Sequence, residues 1–110
     1  MSSVIYLLNA PVITDFGLWR FNGPLSLDEV RLYLGKGFVS GIGHQVTAEF
    51  LTALLAIDCP FSRSRIIMQP GDTAVVFQLL ERLPEGKLLN AHEIGQLPYL
   101  FGLLSCEKLS

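Results

Sequence analysis

The run from Gly43 to Asp58 constrains the fold of this chain more than any other segment. Val46, Phe50, Ala53, Leu54 and Ile57 recur there at helical spacing, which predicts an amphipathic helix from just after Gly43 to Asp58. Its apolar stripe has to be covered by another layer. Short apolar runs on either side can supply that layer. Val4 to Ala10 reads as a buried strand ended by Pro11, which cannot donate to a ladder, so Asn9 falls at the strand's end.

Thr14 to Pro24 is aromatic and turn-rich around Leu18-Trp19-Arg20-Phe21 and predicts a short strand or hairpin. Ser26 with Glu29 forms a capping-box pattern for a short helix carrying Leu27, Val30, Leu32 and Leu34 and ended near Gly35 and Gly37. Arg65 to Met68 and Thr73 to Leu80 read as two strands paired as a hairpin through Pro70-Gly71-Asp72. Asn90 with Glu93 suggests the cap of a last short helix, and Tyr99 to Cys106 a closing strand. The expected class is α/β, with a mixed β-sheet of about five strands flanked by helices.

A chain of 110 residues, half of them apolar, supports one domain over residues 1–110 and not two. Eight basic against ten acidic residues leave a net charge of -2, the wrong sign for gripping long DNA or RNA. A small anionic ligand needs only a few local cations and amides, so it stays open. Mean hydropathy is positive, which in a small soluble domain suggests an apolar partner face and a symmetric homodimer as its simplest use. No stretch approaches a membrane span, and the expected location is cytoplasmic. Cys59 and Cys106 lie far apart, outside any C-x-x-C spacing, so neither a disulfide framework nor a metal site is expected.

Ser40-Gly41-Ile42-Gly43-His44 leads into the long helix. The glycines allow a tight bend and close approach of a ligand, and the free amides of a helix start attract anions. His44, expected on the first turn, would then stand beside a bound phosphate. Strand periodicity puts Gln78, Leu80 and Arg82 on one face, and Arg82-Leu83-Pro84-Glu85-Gly86 turns away with an arginine and a carboxylate close together. Arg63 and Arg65 share strand parity and can face the same side as further positive charge. His92 sits in a capped first turn with no partner at metal spacing. The chain has no G-x-x-x-x-G-K-[ST] loop, G-x-S-x-G elbow or G-x-G-x-x-G motif. The bland alternatives are a histidine that caps a helix and an exposed Arg82–Glu85 pair.

Three segments carry a resemblance: Tyr6-Leu7-Leu8-Asn9-Ala10, Ser40-Gly41-Ile42-Gly43-His44 with Thr47, and Gln78 through Arg82-Leu83-Pro84-Glu85-Gly86-Lys87. In order and separation they resemble the viral and prokaryotic ring nucleases that act as anti-CRISPR proteins against type III systems. The likeness covers nearly the whole chain. It implies a symmetric dimer enclosing cyclic tetra-adenylate and needing no cofactor. His44 would be the catalytic acid, Glu85 the carboxylate beside it and Arg82 a phosphate-contacting arginine. Asn9, Gly43, Arg65 and Gln78 would bind ligand. Between Val12 and Phe38 the family offers more polar contacts than Val12 and Thr14 supply here.

Such a nuclease works without metal because RNA-type linkages carry their own nucleophile, the 2'-hydroxyl. The protein must stabilise the phosphoryl oxygens and give a proton to the departing 5'-oxygen. A carboxylate at Glu85 would favour the charged imidazole that does so. The expected product is linear di-adenylate ending in 2',3'-cyclic phosphate. If the gene is viral, the enzyme works in the host cytoplasm. The alternative expectation is a dimeric sensor or sponge that binds a cyclic nucleotide without cleaving it.

Overall fold

The structure, a computed structural model, describes residues 3–63, 65–80 and 91–110. The first apolar run forms β1 (Ile5–Leu8), and Asn9 lies one residue past its end. The aromatic segment becomes a single strand, β2 (Gly17–Asn22), not a hairpin. Helix α1 (Leu27–Leu34) starts as its sequence dictates. Ser26 Oγ accepts from the Glu29 amide at 3.1 Å while Glu29 Oε1 accepts from the Ser26 amide at 3.0 Å. A strand that periodicity did not reveal, β3 (Val39–Gly41), follows; three residues are too few to display alternation.

Helix α2 spans Gln45–Leu55 and stops short of Asp58, because Ala56 turns into the left-handed region at φ 55°, ψ 34°. The face the helix buries is Thr47, Ala48, Leu51 and Leu55, so the expected stripe is displaced: Val46, Phe50, Leu54 and Ile57 are only half-buried at its margin, and Ala53 is exposed. Strand β4 (Thr73–Leu79), helix α3 (Ala91–Gly95) and strand β5 (Tyr99–Leu109) complete the chain. Asn90, the expected cap of α3, lies outside the described residues.

The sheet runs β2-β5-β4-β1-β3. β1 pairs in parallel with both β3 and β4, in register Leu8 with Gly41 and Leu8 with Val76. β5 runs antiparallel between β4 and β2. The expected hairpin of Arg65–Met68 with Thr73–Leu80 is therefore wrong: residues 65–68 form no strand, and β4 pairs instead with β1 and β5. The turn residues Pro70-Gly71-Asp72 do make a turn, with the Asp72 amide donating to Gln69 O at 2.9 Å. The buried Asp72 carboxylate accepts from the Val4 and Gln69 amides, each at 2.9 Å, and ties that turn to the start of β1.

Two apolar clusters form, one on each face of the sheet. On one face, Val30 and Leu34 of α1 and Ala48, Leu51 and Leu55 of α2 pack on Leu7, Val75, Phe77 and Phe101. Phe50, Phe77, Tyr99 and Phe101 stack there with centroids 5.5 to 6.0 Å apart in tilted or edge-on pairs. On the other face, Leu8, Ala74, Val76, Leu104 and Cys106 are covered by Met68 and Ile66 of the extended 60s segment. An irregular segment thus does the work expected of a strand. Among the described residues no helix is long and apolar enough to cross a membrane.

Candidate functional site

Three parallel strands end together. The chain leaving β1 goes first to β2 at the far edge of the sheet and returns through α1 to β3, and the chain leaving β3 crosses through α2 to β4 on the other side of β1. Where connections diverge in this way, loops cannot fill the space beyond the strand ends, and a crevice remains. Here it is a cavity of about 630 Å3 lined by Asn9 after β1, His44 to Thr47 at the start of α2, and Phe77 to Leu79 at the end of β4. Phe61 and Arg63 form a further wall. The volume is that of an ordinary small-ligand site.

His44 is the N-cap of α2, not a residue of its first turn. Its backbone is extended at φ -129°, ψ 123°, and its carbonyl accepts from the Ala48 amide at 3.0 Å. The imidazole makes no capping bond to the helix, although N-cap side chains commonly do. It is exposed and lines the cavity. Gln45, Val46 and Thr47 line the same wall, and the first amides of a helix have no partner within it.

Asn9 and Gln78 are half-buried and line this cavity with His44, as their places at two adjacent strand ends suggest. Arg65 does not. It lines a neighbouring cavity of about 450 Å3 with Thr14, Asp15 and Ile66, and the two cavities share Asn9 and Ala10. The expectation that Arg63 and Arg65 share a side required a strand, and without one they face different cavities. Arg82 and Glu85 lie outside the described residues. So does any common face of Gln78 and Arg82, since β4 ends at Leu79.

Gly43 adjoins His44, but neither glycine of the loop has the left-handed backbone of a tight bend. Gly41 is explained by packing: a Cβ there would stand 2.7 Å from Leu8 Cδ2 and 3.1 Å from Ile66 Cγ1. At Gly43 a Cβ would meet only Arg63 Cγ, at 3.9 Å.

Sequence reasoning missed Ser40 and underused Arg63. The buried Ser40 hydroxyl donates to Pro60 O at 2.6 Å and accepts from the Ile42 amide at 3.4 Å. Ile42 bridges Phe61 in parallel, and the Ser62 amide donates to Ile42 O at 2.9 Å. Residues 60–62 therefore run beside 40–42 around a single bridge, just past the end of β3. The aromatic Phe61 two residues before Arg63 was the available signal, but nothing local says which strand it joins.

No carboxylate among the described residues lines the His44 cavity, whereas His44 and Arg63 do. That balance suits an anion. Among the described residues no cluster of His, Cys, Asp and Glu could hold a metal. Burial pushes the Cys59 thiol up to about 11, aided by Asp58 and opposed by its bond with Thr52. Burial also raises Cys106, with Asp72 and Asp15 adding to the effect. Neither is a poised nucleophile.

A family profile described as STIV B116-like matches residues 5–101. The uncharacterized protein YddF of Bacillus subtilis is 35% identical over 105 residues, covering 92% of this chain and 95% of that protein. The uncharacterized protein ORF117 of Acidianus two-tailed virus is 31% identical over 94 residues, 80% of each chain. Among solved structures, B116 of Sulfolobus turreted icosahedral virus superposes with a TM-score of 0.70 at 23% identity, over 94% of this chain and 99% of that one. That likeness is one of fold.

Proposed function

The chain belongs to the STIV B116-like family, which has viral members, and we propose that it is a metal-independent ring nuclease that opens cyclic tetra-adenylate. The observation that carries this reading is His44: an exposed N-cap residue on a cavity wall whose imidazole makes no capping bond, with Asn9, Gln78 and Arg63 around the same space. A histidine kept for capping would bond the helix amides.

In the proposed reaction the ligand's 2'-oxygen attacks the adjacent phosphorus, its proton passing to water, and the bond to the 5'-oxygen breaks. His44 gives a proton to that departing oxygen. The helix amides hold the phosphoryl oxygens, and Asn9 and Gln78 orient the sugar-phosphate so that attack is in line. The products are a 5'-hydroxyl and a 2',3'-cyclic phosphate. By the resemblance in sequence, Arg82 contacts the phosphate and Glu85 supports the imidazolium. Arg65 and Gly43 contribute further ligand contacts from the neighbouring cavity and the helix start.

A four-nucleotide ring exceeds one cavity of about 630 Å3, so the proposal includes a symmetric homodimer with the ring on its two-fold axis. Two His44 side chains would then cut opposite linkages to give two di-adenylates. Destruction of such a messenger switches off type III CRISPR signalling. The test is incubation with cyclic tri-, tetra- and hexa-adenylate in excess chelator, with products identified by mass. Linear di-adenylate with cyclic phosphate ends is expected. Tight binding without any product would make the protein a sensor or sponge, and neither binding nor product would reject the reading.

A further inference from the structure

The sheet face that carries Val76, Leu104 and Cys106 is covered by Met68 and Ile66, but the cover stops short of the end where β4 finishes. There Phe21 is 47% exposed and Leu100 42%. Register sets Gln78 opposite Leu100, Val76 opposite Gly102 and Phe21 opposite Leu104, so all of these share one face. A cavity of about 270 Å3 opens among them, lined by Phe21, Gln78, Leu100 and Gly102 with Gly23 and Pro24 just past β2. Gln78 also lines the His44 cavity, so the two spaces meet at this residue. We propose that the smaller cavity seats one adenine base of the ligand, stacked on the Phe21 ring with its polar edge toward the Gln78 amide. For the phosphate and sugar attached to that base, the proposal rests on the ring-nuclease reading.

A glycine builds the platform. A Cβ at Gly102 would stand 2.5 Å from Phe21 Cε1 and 2.6 Å from Cζ, so the ring occupies the space where a side chain would lie. One face of the ring is held against the backbone of β5, and the exposure of the residue leaves the other open. A ring seated in this way has little rotamer freedom left to lose when a second ring stacks on it. Leu100 extends the same apolar floor.

The size and polarity of the cavity favour a single base. Its volume falls just below the range of about 300–1,000 Å3 that takes a drug-sized ligand, which suits one ring system better than a whole nucleotide. No charged side chain among the described residues lines it, so a neutral heterocycle fits there and the phosphate stays in the His44 cavity. Stacking alone accepts any base, because every base has a π-face. Selection comes from Gln78, whose carboxamide carries an acceptor and a donor side by side and matches the N6 donor and N7 acceptor of adenine. No hydrogen bond joins that amide to another described residue.

The experiment compares adenosine 5'-monophosphate with ribose 5-phosphate, which has the same sugar and phosphate without the base. Both are titrated by NMR into wild type, Phe21→Leu and Phe21→Tyr, with folding checked by thermal unfolding. Wild type is expected to bind the nucleotide at least about fivefold tighter than the sugar phosphate, the low end for one stacked base. Phe21→Leu keeps apolar bulk without a π-face and should lose most of that preference, whereas Phe21→Tyr should retain it. The adenine H2 and H8 resonances should move upfield on wild type and not on Phe21→Leu, as the current of a stacked ring requires.

Wild-type protein without a preference for the nucleotide, or an undiminished preference in Phe21→Leu, overturns the proposal. A Phe21→Leu protein that keeps the preference but sediments as a smaller species overturns it in favour of a face covered by a second copy. Inosine 5'-monophosphate carries an acceptor in place of the N6 donor and should bind more weakly than the adenosine nucleotide; equal affinities overturn the assignment to adenine. The ring-nuclease reading fails separately: if cyclic tetra-adenylate is neither bound nor cut while the preference for the nucleotide depends on Phe21, the base seat stands without the cyclic ligand.

Discussion

The Ser40 hydroxyl donates to the carbonyl of Pro60 over 2.6 Å and joins two segments twenty residues apart in the chain. The same oxygen accepts from the Ile42 amide. Loop 41–44 and loop 60–63, which carry His44 and Arg63, are therefore registered by one small buried side chain. Ser40→Ala should lower stability by about 1–3 kcal/mol, because it leaves a buried carbonyl and amide without this partner. Urea unfolding with an unchanged m-value would measure the loss. Ligand affinity should fall as well, and full stability would show that the two loops are held by other means.

The two glycines of the loop should separate in a single pair of variants. Gly41→Ala inserts a methyl against Leu8 and Ile66 and should cost about 1–3 kcal/mol by overpacking. Gly43→Ala meets only an ordinary contact with Arg63 Cγ, so stability should stay within about 0.5 kcal/mol of wild type. If a ligand approaches the main chain at Gly43, that stable variant will bind it poorly. Equal affinities of wild type and Gly43→Ala would remove Gly43 from the binding surface.

His44→Ala should slow cleavage of cyclic tetra-adenylate at least about 100-fold in single turnover while leaving affinity largely intact, the pattern of a lost proton donor. A variant that cleaves at near wild-type rate would show that the proton comes from elsewhere. Excess chelator should change neither rate, since the proposed chemistry uses the ligand's own hydroxyl as nucleophile.

Buried Cys59 and Cys106 should resist Ellman's reagent at pH 8 in the native protein and react fully in denaturant, because burial holds both thiols protonated. The Cys59 thiol also gives stability a pH dependence of definite sign. In the native state it holds its proton up to about 11, above its ordinary 9.0. The associated stability is fully present below pH 9 and is lost as pH rises from 9 through 11, by on the order of 2 kcal/mol. Cys59→Ser should flatten that part of the curve, and an undiminished slope in the variant would assign the dependence to another group.

The end of α2 offers two substitutions of opposite sign. Arg31 donates from Nε to Leu55 O at 3.2 Å and from a terminal nitrogen to Leu54 O at 3.1 Å, satisfying carbonyls that the helix itself leaves open. Arg31→Ala should destabilise by about 1–2 kcal/mol. Ala56 sits in the left-handed region, where a Cβ costs about 1–2 kcal/mol, so Ala56→Gly should stabilise. Thermal unfolding of both variants checks the signs, and a lower midpoint for Ala56→Gly would contradict the strain.

The amino-acid sequence by itself determined the local elements. The Ser26–Glu29 capping box, the existence of α2, the strand ending before Asn9 and the turn at Pro70-Gly71-Asp72 all follow from interactions between near neighbours, which local patterns record, whereas which face of α2 is buried does not. The position of His44 at the start of a long helix was legible for the same reason. Only tertiary structure decided which strands pair, because the edge of a strand presents the same amides and carbonyls to any partner. That is why Arg65–Met68, apolar enough for a strand, instead covers a sheet face already paired through β1, β4 and β5. It is also why β3 could not be seen: its three residues become a strand only by lying beside β1. Whether Arg63 or Arg65 lines the His44 cavity depends on that pairing, through Ser40 holding Pro60 and Ile42 bridging Phe61. Such contacts span about twenty residues and leave no repeating mark in the chain, so sequence fixes the ingredients of the site while long-range backbone pairing fixes which of them meet.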